Sequence, residues 1–332
     1  MKFKDSPITR RILWFGSNRI GQFKSPIILA KALAIHSAES PFPRLPIIDE
    51  SRSQEFKSKT SELAMRIFHK DLYINLSGDE TVHGLKNDYG TELNGKCLML
   101  DEGNLLFKAM HKRSSIRWQS AIAQLYTREL YVFSTEQNRF ELKGKISFVI
   151  NIVTPAWKRH KDEIFETTLG DRALVLHSWL TKEENYACKK RFKDTMWMKP
   201  PLFIDERYSE PIRNLDEFDG QLKAYAEDYA TLAERSPAEC LDLVTATASE
   251  NARLNQRNYL TSDDMTVVRI LRPYNFYPLS TVGIKILAYL KEGRRHTDIC
   301  HLLGKEPSRF LPLISYYKKK YLERGALDLD ET

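Results

Sequence analysis

Cysteine is scarce in this chain: Cys97, Cys188, Cys240 and Cys300 are the only four among 332 residues, and no two form a C-x-x-C pair. That scatter suggests neither a disulfide framework nor a zinc site, so reduced thiols are expected, with Cys97 and Cys300 in apolar surroundings. Long hydrophobic runs are also missing, and none approaches the roughly 20 residues that a membrane span requires. The first residues, MKFKDSPITRR, lack the apolar core of a signal peptide. A soluble, cytoplasmic protein with no membrane partner is the expectation.

What the chain does hold is enough apolar residue content, 42%, for a real core, and enough length for two domains or more. Its formal net charge is +7 and its isoelectric point is near 9.0, a general pointer to nucleic acid. Placement says more than the total. Between Ser280 and Arg324 ten basic residues stand against four acidic ones, so nearly all the excess lies in one small segment.

From Ile12 to Ala34 a short apolar run, a glycine-bearing polar turn, Lys24-Ser25 and an apolar helix-like pattern follow one another. This is the layout of a phosphate loop, G-x-x-x-x-G-K-[ST] between strand and helix, whose backbone N–H groups and helix N-terminus hold phosphate. Gly16 and Gly21 have the right mutual spacing, but Gln22 and Phe23 intervene before Lys24. The loop is either two residues longer than usual or no longer a working one, and an ordinary strand-to-helix turn is the plain alternative. On this reading Ile12 to Phe15 is a buried strand, and Pro26 to Ile35 is a helix with Pro26 in its first turn. His36 to Gln54 reads as loop.

Further along, Ser61 to Lys70 is predicted as helix and Leu72 to Leu76 as strand. The apolar run KCLML ends in Asp101-Glu102, a pair able to hold Mg²⁺ and orient an attacking water. Ser114 to Thr127 is an amphipathic helix, and Leu130 to Phe133 with Phe140 to Leu142 form the arms of a β-hairpin. Ile146 to Val153 is the most strand-like run and ends on Thr154-Pro155. Asn151 or Thr154 there could sense a terminal phosphate; a strand-capping threonine is the alternative. Arg172 lies on a loop before another apolar strand, where arginines are usually solvent-facing but in a ring ATPase reach the neighbouring subunit.

Lys182 to Met198, containing KKRFK, reads as a charged linker, and Pro200-Pro201 marks a boundary. Asp216 to Arg235 and Pro237 to Arg253 are predicted helices. A third is capped by Thr261 or Ser262, with Asp263 and Asp264 in its first turn. After Pro278 come three short helical units: Thr281 to Lys291, Thr297 to Leu303 and, past a turn at Gly304, Leu311 to Arg324 with Pro312 in its first turn. Leu313, Ile314, Tyr317 and Tyr321 recur at helical spacing and suit a core. A helix, a turn and a basic helix fit a helix-turn-helix, in which Arg294, Arg295, Arg309, Lys318, Lys319 and Lys320 would meet DNA.

Taken in order, these features resemble AAA+ ATPases, and the phrase NARLNQRNYLTSDDM from Asn251 is similar to the lid ending of minichromosome maintenance helicases and related AAA+ proteins. The resemblance covers about residues 10 to 270. It implies an α/β fold: an AAA+ P-loop core of parallel sheet flanked by helices (1–198), an α-helical lid (199–273) and a C-terminal helix-turn-helix or winged-helix domain (274–332). It also implies ATP and Mg²⁺. Gly16 and Gly21 would then shape the phosphate loop, Lys24 would bind phosphate, Ser25 and Asp101 would hold Mg²⁺ and Glu102 would orient water. Thr154 or Asn151 would sense phosphate, and Arg172 would act on the next subunit. The hairpin lies where helicase members touch DNA, and where such lids place a sensing arginine this chain has Glu239, with Arg235 one turn away. The expectation is a DNA-associated ATPase of helicase, loader or translocase type, working as a homo-oligomeric ring or filament, a hexamer among the options. A non-hydrolysing AAA+-like scaffold or DNA-binding regulator is the alternative. A transcription factor with a large ligand domain needs only the basic tail.

Overall fold

Two helices, α1 (Ile8–Arg19) and α2 (Ser25–Ser37), precede the first strand, β1 (Ile47–Ser51). Then follow α3 (Lys57–Met65), β2 (Tyr73–Leu76), β3 (Lys96–Leu100), α4 (Lys112–Arg128) and a hairpin of β4 (Leu130–Ser134) with β5 (Arg139–Lys143). The chain continues through β6 (Ile146–Val153), α5 (Thr154–Glu166), β7 (Leu174–His177) and α6 (Lys182–Asp194). This computed structural model describes residues 7–323 apart from 42, 77–84, 86, 88, 90–92, 102–111, 135–138, 167–168, 181, 234, 275–282, 284, 287–288 and 291.

Five strands form one parallel sheet in the order β2-β3-β6-β1-β7, and β4 and β5 pair antiparallel apart from it. A parallel sheet is covered on both faces, which is why its strands read as nearly unbroken apolar runs. Alternate residues of β6 divide between two cores. Phe148, Ile150 and Ile152 pack with α4 and α5, whereas Val149 packs with α1, α2 and α3. The fold is therefore α/β, a five-stranded parallel sheet between helical layers, compatible with a P-loop-like core.

Three more helices, α7 (Leu215–Ala233), α8 (Pro237–Leu254) and α9 (Ser262–Leu271), share the α2-side core through Leu222, Leu243, Val244 and Val268. Thr261 is the cap of α9: its backbone N–H donates to Asp264 Oδ2 at 2.7 Å. The tail packs Ile286, Leu290, Ile299, Cys300 and Ile314 into a small core of its own, with α10 (His296–Leu302) and α11 (Pro307–Glu323) on either side of a turn where Gly304 has φ 62°. Residues 324–332 lie outside the described residues. Among the described residues no helix is long and apolar enough to cross a membrane.

Three expectations are corrected. Ile12 to Phe15 is not a strand but the middle of α1, whose buried Ile12, Phe15, Gly16 and Arg19 recur at helical spacing. Four adjacent apolar residues suit either structure, and the wider period decides. Lys182 to Met198 is not a linker through most of its length: α6 carries Glu183 and Glu184 in its first turn and Arg191 and Lys193 in its last, each sign complementing the helix dipole. Pro312 sits inside α11, which begins five residues earlier, and Leu313 is 36% exposed rather than core.

Candidate functional site

In a parallel α/β sheet the natural ligand crevice lies outside the carboxyl ends of the strands, where successive helices leave toward opposite faces. Here that point is between β1 and β6, because α3 follows β1 onto the α2 side and α5 follows β6 onto the α4 side. A cleft of about 510 Å³ opens there. The loop joining β1 to α3 lines it, together with Asp101, Asn151, Val153, Lys189 and Phe192.

The loop turns tightly without a glycine. Gln54 and Phe56 have φ of 63° and 68°, a left-handed conformation that costs a residue with a side chain roughly 1–2 kcal/mol. Such conformations persist only where neighbours hold them. Lys57, the first residue of α3, folds back so that its Nζ donates to Ser51 O (3.0 Å), Ser51 Oγ (3.2 Å) and Arg52 O (2.7 Å). The Arg52 N–H donates to Glu55 Oε2 at 3.1 Å, and the Phe56 ring meets Phe192 edge-on at 5.9 Å. Ser51-x-x-x-x-Phe56-Lys57-Ser58 thus has the spacing of G-x-x-x-x-G-K-[ST], with serine and phenylalanine at the two glycine places.

Beneath the loop lies a buried polar cluster on one face of the sheet. Asp49 of β1 stands in register with Asn151 of β6. Lys31 reaches both from α2: its Nζ lies 2.6 Å from Asp49 Oδ2 and 2.8 Å from Asn151 Oδ1, and donates to Thr60 Oγ1 at 2.8 Å. An ammonium can only donate, so Lys31 fixes which end of the Asn151 amide faces away from it. That end, Nδ2, donates to Asp101 Oδ1 at 2.8 Å and Ser61 Oγ at 2.9 Å. Lys24 donates to the carbonyl and, at 2.9 Å, the hydroxyl of Ser178, which in turn donates to Asp49 Oδ1 at 2.5 Å.

Burial sets the charge behaviour of the cluster. It pushes Lys24 down to about 8, and it lowers Lys31 and Lys57 against the opposing pull of Asp49. Burial alone would raise Asp49, but the nearby Lys31 and Lys24 outweigh it and hold the carboxyl below its ordinary value. Glu55 is raised by burial, despite the backbone N–H donated to it.

Gly16, Gly21, Lys24 and Ser25 do not make the expected phosphate loop. Gly16 lies within α1, and a Cβ there would fall 2.8 Å from Ser25 Cβ, so the glycine serves the close packing of α1 on α2. Gly21, at φ 137°, makes the turn between them. Lys24 is fully buried, and the Ser25 hydroxyl is bonded to Gln22 O at 3.2 Å and Ser17 Oγ at 3.1 Å. Neither Lys24 nor Ser25 faces the cleft.

Asp101 and Asn151, in contrast, both line the cleft and are hydrogen-bonded to each other. Thr154 opens α5 one residue beyond Val153, and its buried hydroxyl has no hydrogen-bond partner among the described residues. Glu102 lies outside the described residues. Arg172 sits just before β7, whose Leu174 pairs with Ile47 at the start of β1, so it occupies the opposite, amino-terminal edge of the sheet. Arg235 and Glu239 belong to that edge too: Arg235 donates to the carbonyls of Ala173 (2.9 Å) and Asp171. In the tail Arg294 and Arg295 are exposed and Lys318 is half-buried; Arg309, Lys319 and Lys320 lie along α11, their side chains outside the described residues.

The loop from Ser51 to Ser58 is what the sequence reading missed. Its signal was an apolar run, LPII, followed by Lys57-Ser58 at the right distance; the lack of glycine and the prolines before it disguised a strand and its turn as plain loop. No protein-family model matches this chain, and no curated protein matches it.

Proposed function

We propose that the cleft between β1 and β6 binds a nucleoside triphosphate with Mg²⁺, and that the chain is an AAA+-type ATPase working on DNA. One observation carries this reading: Lys57 hangs over a loop of phosphate-loop spacing at the carboxyl end of β1, directly beside the Asp101–Asn151 pair. The residues fit the group. Backbone N–H groups at the α3 N-terminus and the Lys57 ammonium suit phosphate oxygens, and the Ser58 hydroxyl with Asp101 suits a hard cation. Bound Mg²⁺ would neutralise charge on the terminal phosphates. Asn151, held by Lys31, keeps one Asp101 oxygen occupied and leaves the other for the cation. Thr154 follows the cleft residue Val153 and has a buried hydroxyl, and Glu102 follows Asp101 in the chain where a water-orienting base is expected.

Arg172 is too far across the sheet to serve its own cleft, so its expected role requires a second copy, and with it a ring or filament. DNA binding is supported by the helix-turn-helix arrangement of α10 and α11 and by exposed Arg294 and Arg295.

A second reading, an AAA+-like scaffold that does not hydrolyse ATP, has its own observation: Ser51 and Phe56 fill the glycine places, and the Glu55 carboxylate is buried within the loop. Fluorescent-nucleotide binding and phosphate release separate the two. Lys57→Ala should weaken Mg-ATP binding about 10- to 100-fold, as expected for loss of a charge-assisted hydrogen bond, whereas Ser25→Ala should leave it unchanged. Binding without turnover selects the scaffold; no binding at all refutes both.

A further inference from the structure

The KKRFK segment lies in α6; its Lys189 and Phe192 reach the cleft lining, and Lys190 and Lys193 do not. One side of this helix is tied to the body: Cys188 is buried, Phe192 packs under the Arg19 guanidinium at 4.5 Å, and Arg191 donates to Ser17 O at 2.7 Å. The other side faces solvent. Along it Tyr186, Lys189, Lys190 and Lys193 recur at i, i+3, i+4 and i+7, and Trp197 stands in the turn that follows the helix. All five are exposed, the two aromatic rings markedly so: Tyr186 is 73% exposed and Trp197 79%. The Trp197 indole is held in place, since its Nε1 donates to Asp194 O at 3.1 Å.

We infer that this face binds single-stranded nucleic acid, with bases stacking on Tyr186 and Trp197 and the lysines between them meeting phosphates. The reasons are chemical. An aromatic ring presented to water beside fixed positive charge matches an unpaired base beside its phosphate, and stacking of this kind tolerates any sequence. Duplex DNA hides its base faces, so rings standing clear of the surface gain little from it. An anionic membrane is the other partner that attracts lysine and tryptophan. A membrane-seated helix, however, gathers its apolar residues on one face with the charges opposite, whereas here the lysines lie on the same stripe as the aromatics. Buried insertion would carry those charges with it. Only Lys189 is shared with the cleft lining, and the test rests on Tyr186, Lys190, Lys193 and Trp197, which are not part of it.

The test uses the full chain with three probes: a fluorescein-labelled oligothymidylate, a labelled duplex and phosphatidylserine vesicles. Trp197→Ala and Tyr186→Ala should each weaken oligothymidylate binding about 5- to 150-fold, the range for loss of one stacked base, with duplex binding changed by no more than about twofold. Lys190→Gln with Lys193→Gln should lower the slope of log K against log salt by about 1.4, at roughly 0.7 per phosphate contact on a single strand. The inference is overturned if the parent chain does not bind oligothymidylate. It is equally overturned if the aromatic variants, natively folded by circular dichroism, bind it unchanged, if single strand and duplex weaken together, or if only vesicle binding is lost.

Discussion

Replacing Lys31 by methionine is the sharpest test of the buried cluster under the cleft. The change keeps the length of the side chain and removes the charge that lies 2.6 Å from Asp49, a carboxylate with no solvent exposure. It also strips the donor from Asn151 Oδ1 and Thr60 Oγ1. Breaking one partner of a buried ion pair typically costs about 3–5 kcal/mol, because the other charge is left behind in a medium that solvates it poorly. Lys24 also acts on Asp49, by its charge and through Ser178, so it offsets part of that cost and the lower end, about 3 kcal/mol, is expected. Against a total stability of roughly 5–15 kcal/mol this is a large fraction, readable by guanidinium denaturation followed by circular dichroism. The double-mutant cycle with Asp49→Asn isolates the pair and should give a coupling of about 2 kcal/mol or more. The sign with pH is fixed as well. Asp49 has its folded pKa below its unfolded one, so the pair's contribution is present above the unfolded value near 3.8 and is lost as pH falls through the folded value. A cost under about 1 kcal/mol, or a coupling under about 0.5 kcal/mol, would refute the argument that this network holds Asn151 against Asp101.

Two further outcomes follow from the same region. Burial lowers Lys24 to about 8, below its unfolded value, so the unfolded chain binds the extra proton and stability should rise between about pH 8 and 10.5. At about 1.4 kcal/mol per unit the gain is at most about 3.5 kcal/mol, and Lys24→Met should flatten the pH profile over that window; a profile unchanged by the substitution would contradict the buried placement. Gly16→Ala should destabilise by about 1–2 kcal/mol in thermal melts despite alanine's better helix propensity, because its Cβ would fall 2.8 Å from Ser25 Cβ. A variant as stable as the parent would mean that α1 and α2 are not so closely packed.

Much of the secondary structure was legible along the chain, and the places where it was not share a cause. β6, β3, the hairpin, α8 and the Thr261 cap lie where period, flanking turns and capping residues agree. Ile12 to Phe15 reads as a strand because four apolar residues carry no period of their own, and α6 reads as a linker because its inward side holds little more apolar surface than Cys188 and Phe192 and is completed by polar contacts such as Arg191 to Ser17 O. The candidate site was half legible. Asp101 and Asn151 announced themselves at strand ends, where a parallel sheet gathers its chemistry.

Gly16 to Ser25 has the glycines and lysine of a phosphate loop by pattern, yet those glycines belong to the packing and turn of α1 and α2 and that lysine to the core. The sequence by itself determined the α/β class, the order of most elements, the basic tail and the Asp101 strand end, because these depend on local pattern and composition. Only the tertiary structure decided which lysine faces the cleft. Lys24 precedes α2, Lys31 lies within it and Lys57 begins α3, each with a serine or alanine beside it, and nothing local ranks them. Burial does: the sheet and α2 enclose Lys24 and Lys31 among their acceptors, while β1 ends where Lys57 alone can turn back over the loop.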